Sequence, residues 1–164
     1  MEQILPKDLK LKILGFIGST REGRMADRVT TLVKKFYSQQ KEGHSLEVLD
    51  PKDLNLPVLK QALHFYRDPN QAPKILRDVN KKIEEADAYL LITSEYNHGV
   101  PPALSNTMNH FPPTSYYFKP SAVIGYTMGT TGGVFGIAAL QTFLIELGCP
   151  PVSHTVAIPR TQKD

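Results

Sequence analysis

At 164 residues, with 41% hydrophobic and 21% charged side chains, the chain has the size and composition of one packed globular domain spanning residues 1–164, and not of a disordered or repeat protein. Its net charge of +3, from 19 basic and 16 acidic residues, is spread without long runs, which argues against a nucleic-acid surface and suits a small anionic ligand. No apolar stretch reaches the roughly 20 residues of a membrane helix, the opening MEQILPKDLK lacks a secretory apolar region, and Cys149, the one cysteine, forms no internal disulfide, so a cytoplasmic protein with no membrane partner is expected.

The predicted elements alternate between strand and helix. Residues 11–18 (LKILGFIG) are a short apolar run closed by glycine, which is the pattern of a buried parallel strand. Residues 25–41 carry Ala26, Val29, Val33, Phe36 and Tyr37 at helical spacing, with Gly43 beyond the end. Residues 45–50 (SLEVLD) predict a second strand, followed by a loop to Pro73 that Pro51, Asn55 and Pro57 keep irregular. Residues 73–86 place Ile75, Leu76, Val79 and Ile83 on one face of a proline-opened helix. A third strand is predicted over 87–95 (DAYLLITSE), a short helix over 101–111, and a fourth strand over 121–128 (SAVIGYTM). An apolar helix over 134–147 and a last strand over 152–158 follow the glycine cluster GTTGG at 129–133. This alternation predicts an α/β doubly wound fold with a five-stranded parallel sheet and helices on both faces. The ligand crevice then lies outside the carboxyl ends of the strands, in the loops after the first, third and fourth.

Those three loops carry the chemistry. In GSTREGR (18–24), loop N–H groups, the hydroxyls of Ser19 and Thr20, and the cations Arg21 and Arg24 suit a phosphate at a helix N-terminus. The loop matches neither the GxGxxG fingerprint nor a Walker A motif, which disfavours a dinucleotide Rossmann site and an NTPase. After the third strand, Ser94 is followed by Glu95, Tyr96, Asn97, His98 and Gly99, a polar and aromatic set fit for a flat heteroaromatic ligand such as isoalloxazine. The loop of Gly129, Thr130, Gly132 and Gly133 again brings N–H groups to a helix start, where they would favour negative charge near N1 of a reduced flavin. His44, His64, His98, His110 and His154 have no metal-ligand spacing, so no metal site is expected. Cys149 reads as a small buried residue. No nucleophile and base pair is spaced for catalysis, which leaves the chemistry to a cofactor.

Together, GSTREGR, SEYNHGVPPALSN (94–106) and GTTGG resemble the NADPH-dependent FMN reductase family, the flavodoxin-like group that also holds NAD(P)H quinone reductases and azoreductases. The resemblance covers nearly the whole chain. It implies sheet order 2-1-3-4-5, bound FMN, and NADPH or NADH as co-substrate. It further implies a small-molecule acceptor, which is a quinone, an azo compound or free flavin. The loop from Asn55 to Pro73 and the helix after Val100 carry Leu59, Leu63, Phe65, Tyr66, Met108 and Phe111, much apolar surface for a partner subunit, so a homodimer or dimer of dimers is expected. By resemblance Ser19, Arg21 and Arg24 take the phosphate, Glu95 to Gly99 border the isoalloxazine, and the GTTGG glycines meet its pyrimidine side. The family usually has proline where Ser94 stands, and a further helix after the fifth strand that PRTQKD does not supply. A one-electron flavodoxin carrier shares the fold, but the basic charge, the two loop arginines and the lack of tryptophan favour a reductase. The other reading is a non-catalytic member that binds flavin weakly and acts through interactions. A copurifying yellow chromophore bleached by NAD(P)H separates the two.

Overall fold

The computed structural model describes residues 9–40 and 43–162. Its elements are β1 (Lys12–Ile17), α1 (Ala26–Ser38), β2 (Ser45–Leu49), α2 (Pro51–Leu54), α3 (Lys74–Glu85), β3 (Ala88–Ser94), α4 (Pro102–Asn109), β4 (Ser121–Tyr126), α5 (Val134–Glu146) and β5 (Val156–Ile158). All strands run parallel in the order β2-β1-β3-β4-β5. This is the flavodoxin-like doubly wound sheet, whose order reverses between β1 and β3 and so opens a crevice at their carboxyl ends. The predicted first helix ends at Ser38, and Lys41 lies outside the described residues.

Side chains alternate between the two faces of each strand, so β1, β2, β3 and β4 feed two cores. Leu14, Phe16, Leu91 and Val123 pack beneath α3, α4 and α5, against Leu76, Ile83, Leu104, Met108, Ile137 and Leu140. Ile17, Leu90, Ile92 and Tyr126 pack on the other face against Ala26, Val29 and Val33 of α1. Gly125 makes the α5 packing possible, because a Cβ there would lie 2.5 Å from Cδ1 of Ile137. Cys149 is buried in the first core as expected, and burial pushes its thiol up to about 12.

Four expectations need correction. Phe36 and Ile75, placed on buried helix faces from the sequence, are 58% and 41% exposed. The stripes that are buried follow the i, i+3, i+7 spacing through Ala26, Val29 and Val33, and through Leu76, Val79 and Ile83, which turns the two neighbours outward. The loop between β2 and α3 holds the single turn α2 and two 3-10 turns, Leu63–Phe65 and Pro69–Gln71. Met108 and Phe111, read as surface for a partner subunit, lie in the chain's own core. The last strand is also shorter than predicted. Pro151 bridges to Ser121, the chain bulges, and pairing resumes only at Val156 opposite Ile124. Proline has no N–H for a ladder, so Pro150 and Pro151 are tolerated only at this edge.

Among the described residues α1 alone covers the second face, leaving Ala122 and Ile124 half-buried and Val156 exposed at the β4–β5 end. No helix of the described residues is long and apolar enough to cross a membrane.

Candidate functional site

The loop after β1 is folded by its own arginine. Arg24 donates from Nη1 to the Ser19 carbonyl at 2.5 Å and to Asp50 Oδ1 at 2.8 Å, from Nη2 to Asp50 Oδ2, and from Nε to Asp27 Oδ1 at 2.8 Å. Its side chain is 5% exposed. The Asp50 hydrogen bond holds the guanidinium charged more firmly than usual, against the desolvation of burial. Burial works against the Asp50 carboxylate, yet the hydrogen bonds from Arg24 and from the Lys52 amide hold its carboxyl below the ordinary 3.8. Asp50 thus caps α2 and locks the β1 loop to the end of β2. The sequence alone assigned Arg24 to a phosphate, whereas the structure spends its donors on two aspartates and a carbonyl.

Arg21 is placed otherwise. Its side chain is exposed and its guanidinium carbon lies 3.8 Å from the centroid of the Tyr96 ring. Ser19 is 1% exposed, and its Oγ accepts from the Arg21 amide at 3.3 Å and shares a 2.6 Å hydrogen bond with the Tyr96 hydroxyl. Helix α1 starts without a side-chain cap, and Met25 at its start lines the same cavity as Ser19 and Arg21. Tyr96, from the loop after β3, therefore lies across the loop after β1.

The rest of that second loop is a two-residue turn. Gly99 N donates to Tyr96 O at 3.0 Å, and Asn97 and His98 both take left-handed φ values of 52° and 60°. Such a primed turn suits asparagine. Glu95 turns toward α5, where its Oε2 accepts from the amides of Phe135 at 3.0 Å and Gly136 at 3.1 Å, an anion at a positive helix end. His98 stacks on Phe135 with centroids 4.3 Å apart and its Nε2 lies 3.7 Å from Glu95 Oε1. The expectation that the N–H groups opening α5 point at a flavin meets this geometry, since Glu95 takes two of them.

In the third loop Gly132 and Gly133 have φ values of 67° and 84°. A Cβ on Gly132 would lie 2.9 Å from the Ala157 backbone. The segment after β5 folds back over this loop. Arg160 N donates to Gly129 O at 2.9 Å, Thr161 N and Oγ1 to Thr127 O at 3.1 and 3.2 Å, and Gln162 Nε2 to Met128 O at 3.0 Å.

Between these loops lies a cavity of about 420 Å³, within the range of small-molecule and cofactor sites. Of the residues predicted from sequence, Ser19, Arg21, Arg24, Glu95 and Tyr96 line it. Asn97, His98 and Gly99 form the turn beyond it, and Gly129, Thr130, Gly132 and Gly133 lie outside its lining. Sequence reasoning missed Tyr126, Thr127, Met128 and Thr161, which line it too. The first three carried a usable signal, because they follow or end a predicted strand at its carboxyl end. Thr161 carried none, since only the fold-back brings it there.

A five-stranded doubly wound sheet with a ligand-sized cavity at its switch point, walled by a hydroxyl and arginine loop, belongs to the flavodoxin-like nucleotide-cofactor binders. Residues 11–163 match the family model described as NADPH-dependent FMN reductase. The chain is 28% identical to a quinone reductase of Pseudomonas putida over 74% of this chain and 69% of that one. It is 27% identical to an NAD(P)H:quinone oxidoreductase of Solanum tuberosum, over 84% of this chain and 67% of that one. It also superimposes on the flavoenzyme FerB of Paracoccus denitrificans, an NAD(P)H:(acceptor) oxidoreductase, with TM-score 0.70 and 26% identity over 87% and 75% of the two chains. The chain belongs to the NADPH-dependent FMN reductase family.

Proposed function

We propose that this chain, an NAD(P)H-dependent FMN oxidoreductase by family, seats the FMN phosphate on the loop after β1 and uses the flavin to reduce a quinone, an azo compound or free flavin. The observation that carries the placement is the convergence of buried Ser19 Oγ, exposed Arg21 and the uncapped start of α1 on one cavity at the switch point. Hydroxyls, a guanidinium and helix-start N–H groups are the donor set a phosphate needs. Bound there, FMN supplies the ring that takes hydride from NAD(P)H and passes two electrons on.

The protein's part is placement. Arg24 is a positioning residue that shapes the loop through Asp50 and the Ser19 carbonyl. The Tyr96 hydroxyl holds the bond to Ser19 Oγ that a phosphate oxygen would take in its place. Glu95 fixes the β3 loop against α5, and Tyr96, Thr127 and Met128 of the cavity lining would border the ring, with the Asn97 to Gly99 turn and the glycines at 129 to 133 behind them. The chain has no tryptophan to cover the ring.

Arg21→Ala should weaken FMN by roughly 10- to 100-fold, the range of a hydrogen bond to a charged group, and leave riboflavin within a few-fold. Calorimetric titration of both ligands checks it, and equal losses would remove the phosphate from this loop. We also propose a homodimer or dimer of dimers, supported by Val58 and Phe65, which are 81% and 68% exposed on the segment between β2 and α3. Light scattering that shows a stable monomer at micromolar concentration would overturn it.

A further inference from the structure

A second cavity, of about 310 Å³, lies between α3 and the 3-10 turns that follow β2, and it shares no lining residue with the cavity at the switch point. Its volume is at the low end of ligand sites. One side is apolar, formed by Leu63, Tyr66, Pro69 and Pro112. That side is fixed in place. Leu63 and Tyr66 pack against the first core, the Leu63 amide donates to the His110 carbonyl at 2.8 Å, and Asp68 caps the turn Pro69–Gln71.

The other side belongs to α3. Leu76, Val79 and Ile83 take its buried face, which leaves Arg77, Asn80, Lys81 and Glu84 to line the cavity. Buried Ser115 donates from Oγ to Asn80 Oδ1 at 2.8 Å, and Asn80 Nδ2 donates to Glu84 Oε1 at 2.8 Å, so the acid is held. Lys81 is answered by Glu85 at 3.7 Å. Arg77 makes no hydrogen bond or ion pair with a described residue. An anchored carboxylate and an unpaired guanidinium thus stand two helical turns apart, about 10 Å along the axis, beside one apolar wall. The wall is covered only by apolar surface, and its ring side chains pack best on a flat partner. A guanidinium fork matches a planar carboxylate, and Glu84 needs a donor. Inorganic phosphate would leave the wall wet, and a neutral ring would leave Arg77 and Glu84 unanswered. No group of three or more metal-type donors gathers among the described residues, so this is not a cation site.

We propose that this cavity is a second binding site, for a planar aromatic carboxylate that bears a hydroxyl at the far end of its ring system. The carboxylate pairs with Arg77, the hydroxyl donates to Glu84, and the rings lie along Leu63, Tyr66, Pro69 and Pro112. The site is separate from the flavin seat and does not depend on it.

The probe is 6-hydroxy-2-naphthoate, with 2-naphthoate and 2-naphthol as partial ligands that each lack one polar end. All three are titrated by calorimetry into the full chain, with and without saturating FMN. The wild type should bind the probe saturably below about 1 mM, whether FMN is present or not. Arg77→Gln should weaken the probe and 2-naphthoate by about 10-fold, the lower range for a hydrogen bond to a charged group, and leave 2-naphthol within about two-fold. Glu84→Ala should bring the probe down to the affinity of 2-naphthoate, a loss of a few-fold, with 2-naphthoate itself unchanged. Lys34→Gln, on α1 across the sheet, removes the same charge and should change nothing. Arg77 and Glu84 are exposed, so both variants should keep the wild-type melting temperature. Absence of saturable binding, displacement of the probe by FMN, an equal loss for 2-naphthol in Arg77→Gln, or an equal loss for the probe in Lys34→Gln would each overturn the site. So would a folded Arg77→Gln that binds the probe as well as the wild type.

Discussion

Arg24→Ala should lower the unfolding free energy by about 3 kcal/mol, the lower end of what breaking a buried ion pair costs, and drop the melting temperature by roughly 6 to 12 °C for a chain of this length. The side chain is 5% exposed and serves two carboxylates and a carbonyl, while Asp50 is only 17% exposed. Removing Arg24 strands Asp50 half-buried without its partner and frees the β1 loop from β2. Arg24→Lys should recover only part of the loss, because an ammonium lacks the fork that meets both Asp50 oxygens. The pH dependence has a definite sign. The Asp50 carboxyl is held below 3.8 in the fold, so its contribution is present above that value and fades as pH falls through the lower folded value. The wild type and Arg24→Ala should therefore differ most near neutral pH and converge in acid. Denaturant unfolding from pH 7 to pH 3 measures this. A variant as stable as wild type that loses FMN affinity alone would return Arg24 to direct phosphate contact.

Gly132→Val should cost about 3 kcal/mol or more, since two penalties of roughly 1 to 3 kcal/mol each combine there. The residue has φ 67°, which a β-branched side chain avoids, and its Cβ would press to 2.9 Å on the Ala157 backbone and Cβ. Backbone under a paired strand has little room to retreat. Gly132→Asn separates the two effects, because asparagine tolerates the left-handed region but brings the same Cβ. Gly23→Asn is the control, with φ 63° and nothing within 4 Å of its added Cβ. Chemical denaturation should rank Gly132→Val worst, Gly132→Asn intermediate and Gly23→Asn near wild type. Equal stability of Gly132→Asn and Gly23→Asn would show that the close approach to β5 is not a constraint. Gly133 follows the same logic, with φ 84° and a Cβ 3.3 Å from the Tyr126 backbone. Gly133→Val is thus expected to act first on folding, and a change in flavin potential is secondary to that, because Glu95 already holds the Phe135 and Gly136 amides.

The three loops meet the cavity with different degrees of freedom. Arg24 ties the first to β2 through Asp50, Glu95 ties the second to α5, and residues 160–162 tie the third to the end of β5. Arg21 and Tyr96 are held mainly by each other and by Ser19. A ligand that displaces Tyr96 therefore disturbs one hydrogen bond and one ring contact, with the rest of the frame intact.

Periodicity and local chemistry were enough to place every strand and every helix but the single turn α2 in order, because each buried strand is a short apolar run and each crossover helix carries its own stripe. The parallel sheet followed from that alternation, and so did the location of the site, since a switch point fixes which strand ends can hold a ligand. What the sequence could not decide is which side chains are already taken. Arg21 and Arg24 are alike on paper, and only the approach of Asp50, 26 residues away, turns one into a structural ion pair and leaves the other over Tyr96. Glu95 reads as a ring neighbour until α5 brings two amides to it from 40 and 41 residues away. Thr161 enters the cavity through a fold-back that no local pattern encodes. Helical and strand patterns are set by neighbours within a few residues, whereas partners for charges and hydroxyls are set by long-range packing, and desolvation makes each group take whatever partner the fold delivers.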